Sequence, residues 1–319
     1  MAAIVLAACS TSSSEPAHGQ GRIVVAISID WEGAYFSPDG LDAMDALRDQ
    51  IPGAPITHFV CAAYFSKEHP DSTALVSLRS AVQPGDELAM HLHGWKSLAV
   101  AAKLEPKLSP SFLSGTEQLL EFEDDRGFDT DLDVYSVSEL RALLRTSRRL
   151  LEPVGIPIST TFRAGGYLGT PKMLQAIFEE GYTVDSSATD HRQLEEQQDG
   201  VLPERIHELW PKIDASAAPY AIEVTGGELL ELPIAAIADY ATSKEITALF
   251  DQALARVKAD PTRDAIVVLG FHQETAQEFA PRLVEALTSV RARPELASRL
   301  VYLTVAQAAE LARAQVTAR

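Results

Sequence analysis

Eight short apolar runs separated by amphipathic stretches set the main constraint on this chain. They are RIVVAISIDW (22–31), ITHFVCAAYF (56–65), GDELAMHLHGW (85–95), STTFRAGG (159–166), YTVDSS (182–187), ELLELPI (228–234), AIVVLGFH (265–272) and RLVYLTV (299–305). The runs are near-continuous rather than alternating, the pattern of strands buried on both faces. Between them, VSELRALLRTSRRLL and KEITALFDQALARVKA repeat apolar residues at helical spacing. TPKMLQAIFEE opens on Thr170-Pro171 and stops at Gly181, the asymmetry of helix ends. Such alternation builds a parallel sheet covered by helices, and this number of strands favours a closed or nearly closed barrel over an open sheet.

The 319 residues suffice for a large core, and no internal repeat or interdomain linker divides them. We read 21–319 as one barrel domain with a long insertion at about 96–137, polar and acidic enough for a lid or binding loop. Within it, Asp129-x-Asp131-x-Asp133 has the spacing of a calcium loop, but Val134 and Leu140 stand where such a loop needs its glycine and glutamate, so a solvated acidic loop is the better reading. A net charge of −18 argues against nucleic-acid binding, which needs a basic surface. Residues 1–20 read as a lipoprotein signal and tether: an apolar segment ending in Leu6-Ala7-Ala8-Cys9, then a Ser/Thr run. Membrane contact through a lipid on Cys9 and a place in the cell envelope, facing the periplasm or exterior, are expected. The other cysteine, Cys61, lies in an apolar run and reads as a buried thiol.

Functional groups in parallel β/α folds gather at the carboxyl ends of strands. Here those ends carry Asp30 and Glu32, His91 and His93, Arg163, Asp185, and His272 with Glu274, whereas the amino ends carry mostly small or β-branched residues. Residues two apart on a strand face the same way, so His91 and His93 share a side, as do Asp30 and Glu32. Two imidazoles and a carboxylate make a three-ligand set with an open position, the form of a catalytic metal site. Without a thiolate, the set suits zinc first, with cobalt or nickel as alternatives.

Taken in order, IDWEG, HLHGW, FRAGGY, EEGYTVDSS and LGFH resemble the polysaccharide deacetylase family, the nodulation-type chitooligosaccharide deacetylase homology domain. The resemblance spans about residues 22–305 and is most specific in FRAGGYLGTPKMLQAIFEEGYTVDSS. It implies an α/β fold, an irregular (β/α)7-8 barrel, and a metal-dependent amide hydrolase that removes N-acetyl groups from amino sugars of a cell-wall or extracellular polysaccharide. By position, Asp30 matches the base, His272 the general acid and Arg163 the arginine that orients the base. Asp185 lies in the motif that gives the catalytic histidine its carboxylate partner. The metal ligands implied are Glu32, His91 and His93. Most members carry the second metal histidine four residues after the first, where this chain has Trp95, and Trp31 stands where an adjacent metal aspartate would be. Either His93 and the longer Glu32 close a variant site, or metal binding is lost; three ligand-type residues favour the first. Trp31, Tyr35, Trp95 and Tyr167 either stack on sugar rings or fill the core. An inactive, lipid-anchored glycan-binding protein and a hydrolase of a non-sugar amide are the alternatives.

Overall fold

The computed structural model describes residues 21–116, 120–122, 125–195 and 201–317, so the expected lipoprotein segment lies outside the described residues. Among the described residues, the first strands are β1 (Ile23–Trp31), β2 (Ile56–Cys61) and β3 (Glu87–Leu92). A two-residue hairpin, β4 (Glu121–Phe122) with β5 (Asp125–Arg126), stands apart from the main sheet. There follow β6 (Ile158–Ala164), β7 (Val184–Asp185), β8 (Tyr220–Val224), β9 (Gly227–Glu231), β10 (Ile234–Ile237), β11 (Ala265–His272) and β12 (Leu300–Tyr302).

Parallel pairing runs β11-β1-β2-β3-β6-β7-β9, and β10 pairs back onto β11. Only Leu232 and Pro233 separate β9 from β10, so one bent strand lies against β7 in its first half and against β11 in its second. The bend is tied down by Leu232 N–H on the Asp185 carbonyl (2.9 Å) and Ile234 N–H on that of Ala188 (2.8 Å). The curled sheet is thereby brought round to an irregular barrel. ELLELPI is therefore two strands, divided where Pro233 has no N–H to give a ladder. ITHFVCAAYF is a strand only to Cys61, after which Ala62–Phe65 coils into a 3-10 turn. Strand β8 is antiparallel to β9, and its half-buried, half-exposed residues mark an edge.

The helices begin where side chains can cap them. Ser136 with Glu139 and Thr242 with Glu245 form capping boxes at Val137–Leu151 and Ser243–Ala259, and Thr170 caps Pro171–Glu179. Among the described residues no helix is long and apolar enough to cross a membrane. The expected insertion is partly built: a helix at Lys96–Ala101, the β4–β5 hairpin and a 3-10 turn at Leu132–Val134. Its carboxylates hold the loop together and tie it to the barrel. Asp129 accepts from Ser111 and from Leu120 N–H, and Asp131 accepts from Asp133 N–H (2.9 Å) and pairs with Arg205 (3.0 Å).

The amino ends of the strands are more polar than the sequence suggests, and there the polar groups serve the fold. Glu87 accepts from Thr57 (2.9 Å), Ser159 (2.6 Å) and Ala306 N–H (2.9 Å), which ties the last helix to the barrel floor. Asp86 takes Ile56 N–H (2.8 Å), the Arg48 guanidinium and the His58 ring (3.3 Å). Burial works to raise the Asp86 pKa, but hydrogen bonds from His58 and Arg48 hold it down at about 2. The ion pair thus stabilises the fold above the ordinary aspartate range, and that stabilisation is lost as pH falls through about 2. Asp86→Asn is expected to cost ~3–5 kcal/mol, as removing one partner of a buried pair does, read from the urea midpoint.

Candidate active site

Sheet register assembles the strand ends. Asp30 of β1 lies beside His272 of β11, and His91 of β3 beside Arg163 of β6. Arg163 is fully buried and reaches across the barrel, giving hydrogen bonds to Asp30 Oδ1 (2.7 Å), Ser28 Oγ (2.8 Å) and the Ser186 carbonyl (2.8 Å). Its guanidinium lies on the Phe59 ring at 4.1 Å. Asp30 is thus aimed by a cation that has no freedom of its own.

Glu32, His91 and His93 converge on one point, with donor atoms within 4.8 Å of one another. The Glu32 oxygens lie 3.3 Å from His91 Nε2 and 2.5 Å from His93 Nε2, and the two Nε2 atoms are 3.1 Å apart. Each imidazole is oriented from behind. His91 Nδ1–H donates to the Arg163 carbonyl (2.8 Å), and His93 Nδ1–H to that of Phe128 (2.7 Å). A carbonyl only accepts, so each Nδ1 carries its proton and each Nε2 is turned toward the other ring and the Glu32 carboxylate. A proton on Nδ1 is what a histidine that ligates a metal through Nε2 needs, and a cation between the three would take the place of any proton held there. The residues fit a divalent ion. The His93 ring lies so close to Gly165 that an added Cβ there would meet it at 2.6 Å. Burial works to raise the Glu32 pKa, but the two histidines hold it well below the usual carboxylate range.

His272 stands on the other side of Glu32, with its Nε2 3.4 Å from Glu32 and 3.1 Å from the Tyr167 hydroxyl. Its Nδ1 lies 3.0 Å from Asp239 Oδ1. Burial pulls the imidazole pKa down, yet the Asp239 carboxylate, with Glu32 and Asp30, pushes it up to about 10. The partner of His272 is therefore Asp239 and not Asp185. Asp185 is fully buried, accepts from Ser187 (2.6 Å) and faces Glu231 across the β7–β9 pairing. Burial pushes Asp185 up to about 6 and, with the Asp185 charge, raises Glu231 well above the usual carboxylate range. Asp239 follows the apolar end of β10 and obeys the strand-end rule, but the run ELLELPI stops at residue 234, short of it.

Asp30, Glu32, His91, His93 and His272 line a cavity of about 80 Å³, walled by Phe112, Phe128, Tyr167, Leu202 and Tyr240. Phe128 stacks on His93 with ring centres 4.5 Å apart, so the insertion supplies a wall of the site. Trp31 and Trp95 are fully buried and unavailable to a sugar, whereas Tyr35 is exposed at the mouth of an adjoining cleft of about 370 Å³. Tyr167 holds a left-handed backbone (φ 62°), a conformation costly for a side chain that big and one found at functional sites.

No protein-family model matches the sequence. No curated protein matches it either. Solved structures do. A protein described as a polysaccharide deacetylase from Mycobacterium smegmatis superposes with a TM-score of 0.57 at 18% identity, over 95% of each chain. Puue allantoinase gives 0.51 at 12% identity, over 98% of this chain and 97% of that one. A protein described as a polysaccharide deacetylase from Pseudomonas aeruginosa PAO1 gives 0.50 at 12% identity, over 92% and 91%. The fold is thus the irregular β/α barrel seen in the polysaccharide deacetylases, shared here with an allantoinase.

Proposed function

We propose that this protein is a metal-dependent hydrolase that removes N-acetyl groups from amino sugars of a cell-wall or extracellular polysaccharide. The observation that carries the reading is the pair of Nε2 atoms facing Glu32, with Asp30–Arg163 and His272–Asp239 beside them. Glu32, His91 and His93 would hold the ion, zinc first among borderline metals, which when bound supplies Lewis acidity and lowers the pKa of water. Asp30, oriented by Arg163, is placed to take the proton of the attacking water. His272, held by Asp239, is placed to give a proton to the departing nitrogen, which cannot leave as an amide anion. The Gly166–Tyr167 backbone borders the cavity where the acyl oxygen would gain negative charge, and the Phe112 and Phe128 rings keep water from the far wall.

Asp239 gives the reaction a pH signature. His272 must carry its proton to act as the acid, so activity is expected to fall as alkaline pH strips that proton, above the ordinary imidazole range because Asp239 holds it. Asp239→Asn removes the charge that raises that value and is expected to move the alkaline limb to lower pH. A limb that stays in place in the pH–rate profile would contradict the assignment.

The function is tested by acetate release from N-acetylated chitooligosaccharides and peptidoglycan fragments, using protein loaded with zinc. No release from any of them overturns the deacetylase reading. A second reading, hydrolysis of a small cyclic amide, is favoured by the closeness of the allantoinase fold and by the small covered cavity. Turnover of allantoin without acetate release would select it. A protein that only binds glycans has no need of the buried Asp30–Arg163 and His272–Asp239 pairs. Envelope anchoring through Cys9 belongs to the same proposal, and incorporation of labelled palmitate, lost in Cys9→Ala, tests it.

A further inference from the structure

Glu32 lies one residue past the end of β1, so the sheet ladder does not fix its peptide. Two other groups do. The Glu32 carbonyl accepts from Trp95 Nε1–H at 2.8 Å, and its N–H donates to Glu274 Oε1 at 3.1 Å. Glu274 Oε1 is itself held by the Tyr64 hydroxyl. The next residue, Gly33, turns at φ 82°, and a Cβ there would meet Ala63 at 2.8 Å and Trp95 Nε1 at 3.1 Å. The chain thus leaves the strand pressed against the indole with no room to shift.

The same indole also backs the histidine side of the site. Its ring packs on Phe128 with centres 5.7 Å apart, and Phe128 stacks on His93 and takes its Nδ1–H. Lys67 closes the far face, its ammonium 5.0 Å from the Trp95 ring centre. One buried side chain therefore touches the supports of two of the three expected ligands. A glutamate arm has one more rotatable bond than an aspartate arm, so it delivers a carboxylate to a fixed point only if its backbone is held.

We infer that Trp95 and Glu274, with Tyr64 behind, are positioning residues that clamp the Glu32 peptide and so make Glu32 and His93 a working pair of metal ligands. The inference rests on the metal-site reading above. Position 95 then acts on the metal through hydrogen bonding and packing rather than by ligation.

Zinc affinity of the full chain, measured by competition with a chromophoric chelator, tests this, alongside thermal melting of the metal-free protein. Trp95→Phe keeps a buried ring and loses the donor; Glu274→Ala loses the acceptor; Glu274→Gln retains one. Trp95→Phe and Glu274→Ala are expected to weaken zinc by ~10–100-fold, the range for groups that orient ligands, with Glu274→Gln close to wild type. Tyr64→Phe, a mild change, is expected to weaken zinc in the same direction. A purely structural role would lower the melting temperature of the variants and leave their zinc affinity unchanged, which overturns the clamp and spares the metal site. Glu274→Gln binding as weakly as Glu274→Ala overturns the acceptor role. Absence of zinc binding by the wild type overturns the metal site and the clamp together.

Discussion

Asp30→Ala and His272→Ala are each expected to lower kcat for acyl release by ~10²–10⁴-fold while the protein keeps its full metal content. The two halves of this result separate two groupings of the same side chains. Asp30, Glu32 and His272 also lie close enough together to hold a cation. Their other contacts argue for proton transfer instead. Asp30 is engaged by Arg163 at 2.7 Å, and His272 by Asp239 at 3.0 Å, which pushes the ring toward its protonated form, where Nε2 has no lone pair to give. If either variant loses the metal, the ion sits in the second grouping and the acid–base roles are misassigned. If kcat is unchanged, neither residue moves the proton that limits turnover.

His93→Ala is expected to reduce zinc affinity by more than about 100-fold, beyond the range seen for residues that only orient a ligand. It removes one of the three donors that converge on the site. Gly165→Ala reaches the same ring: its new Cβ would meet the imidazole at 2.6 Å, so the ring must shift from its place beside Glu32. Both variants, titrated with zinc beside the wild type, should rank below Trp95→Phe. His93→Ala binding zinc as tightly as wild type would mean that His91 and Glu32 work with some other residue.

Much of this site is legible in the sequence because strand chemistry and topology coincide. A run such as IVVAISID must be buried on both faces, and its first ionisable residue falls where the chain leaves the barrel. That reasoning brings together Asp30, His91, Arg163 and His272, and the register pairs Asp30 with His272 as neighbours. It failed at Asp185 because β7 is only Val184–Asp185, and a strand that short has its last residue inside the barrel rather than at its mouth. There Asp185 meets Glu231, a contact fixed by the pairing of β7 with β9 and invisible in either segment alone. Pro233 hid the true end of the following strand, and with it Asp239. The insertion was legible as a long polar segment. That Phe128 would turn inward to stack on His93 depends on the path of the loop, which composition does not set. Trp95 looked like the loss of a ligand; its hydrogen bond to the Glu32 carbonyl is a tertiary fact.

Zinc K-edge absorption of the protein loaded with one equivalent of zinc reads the ligands directly. Two imidazoles and one carboxylate oxygen, all at ~2.0–2.2 Å, are expected in the wild type, falling to one imidazole in His93→Ala. A single imidazole already in the wild type, with His93→Ala unchanged, would contradict the Glu32–His91–His93 site.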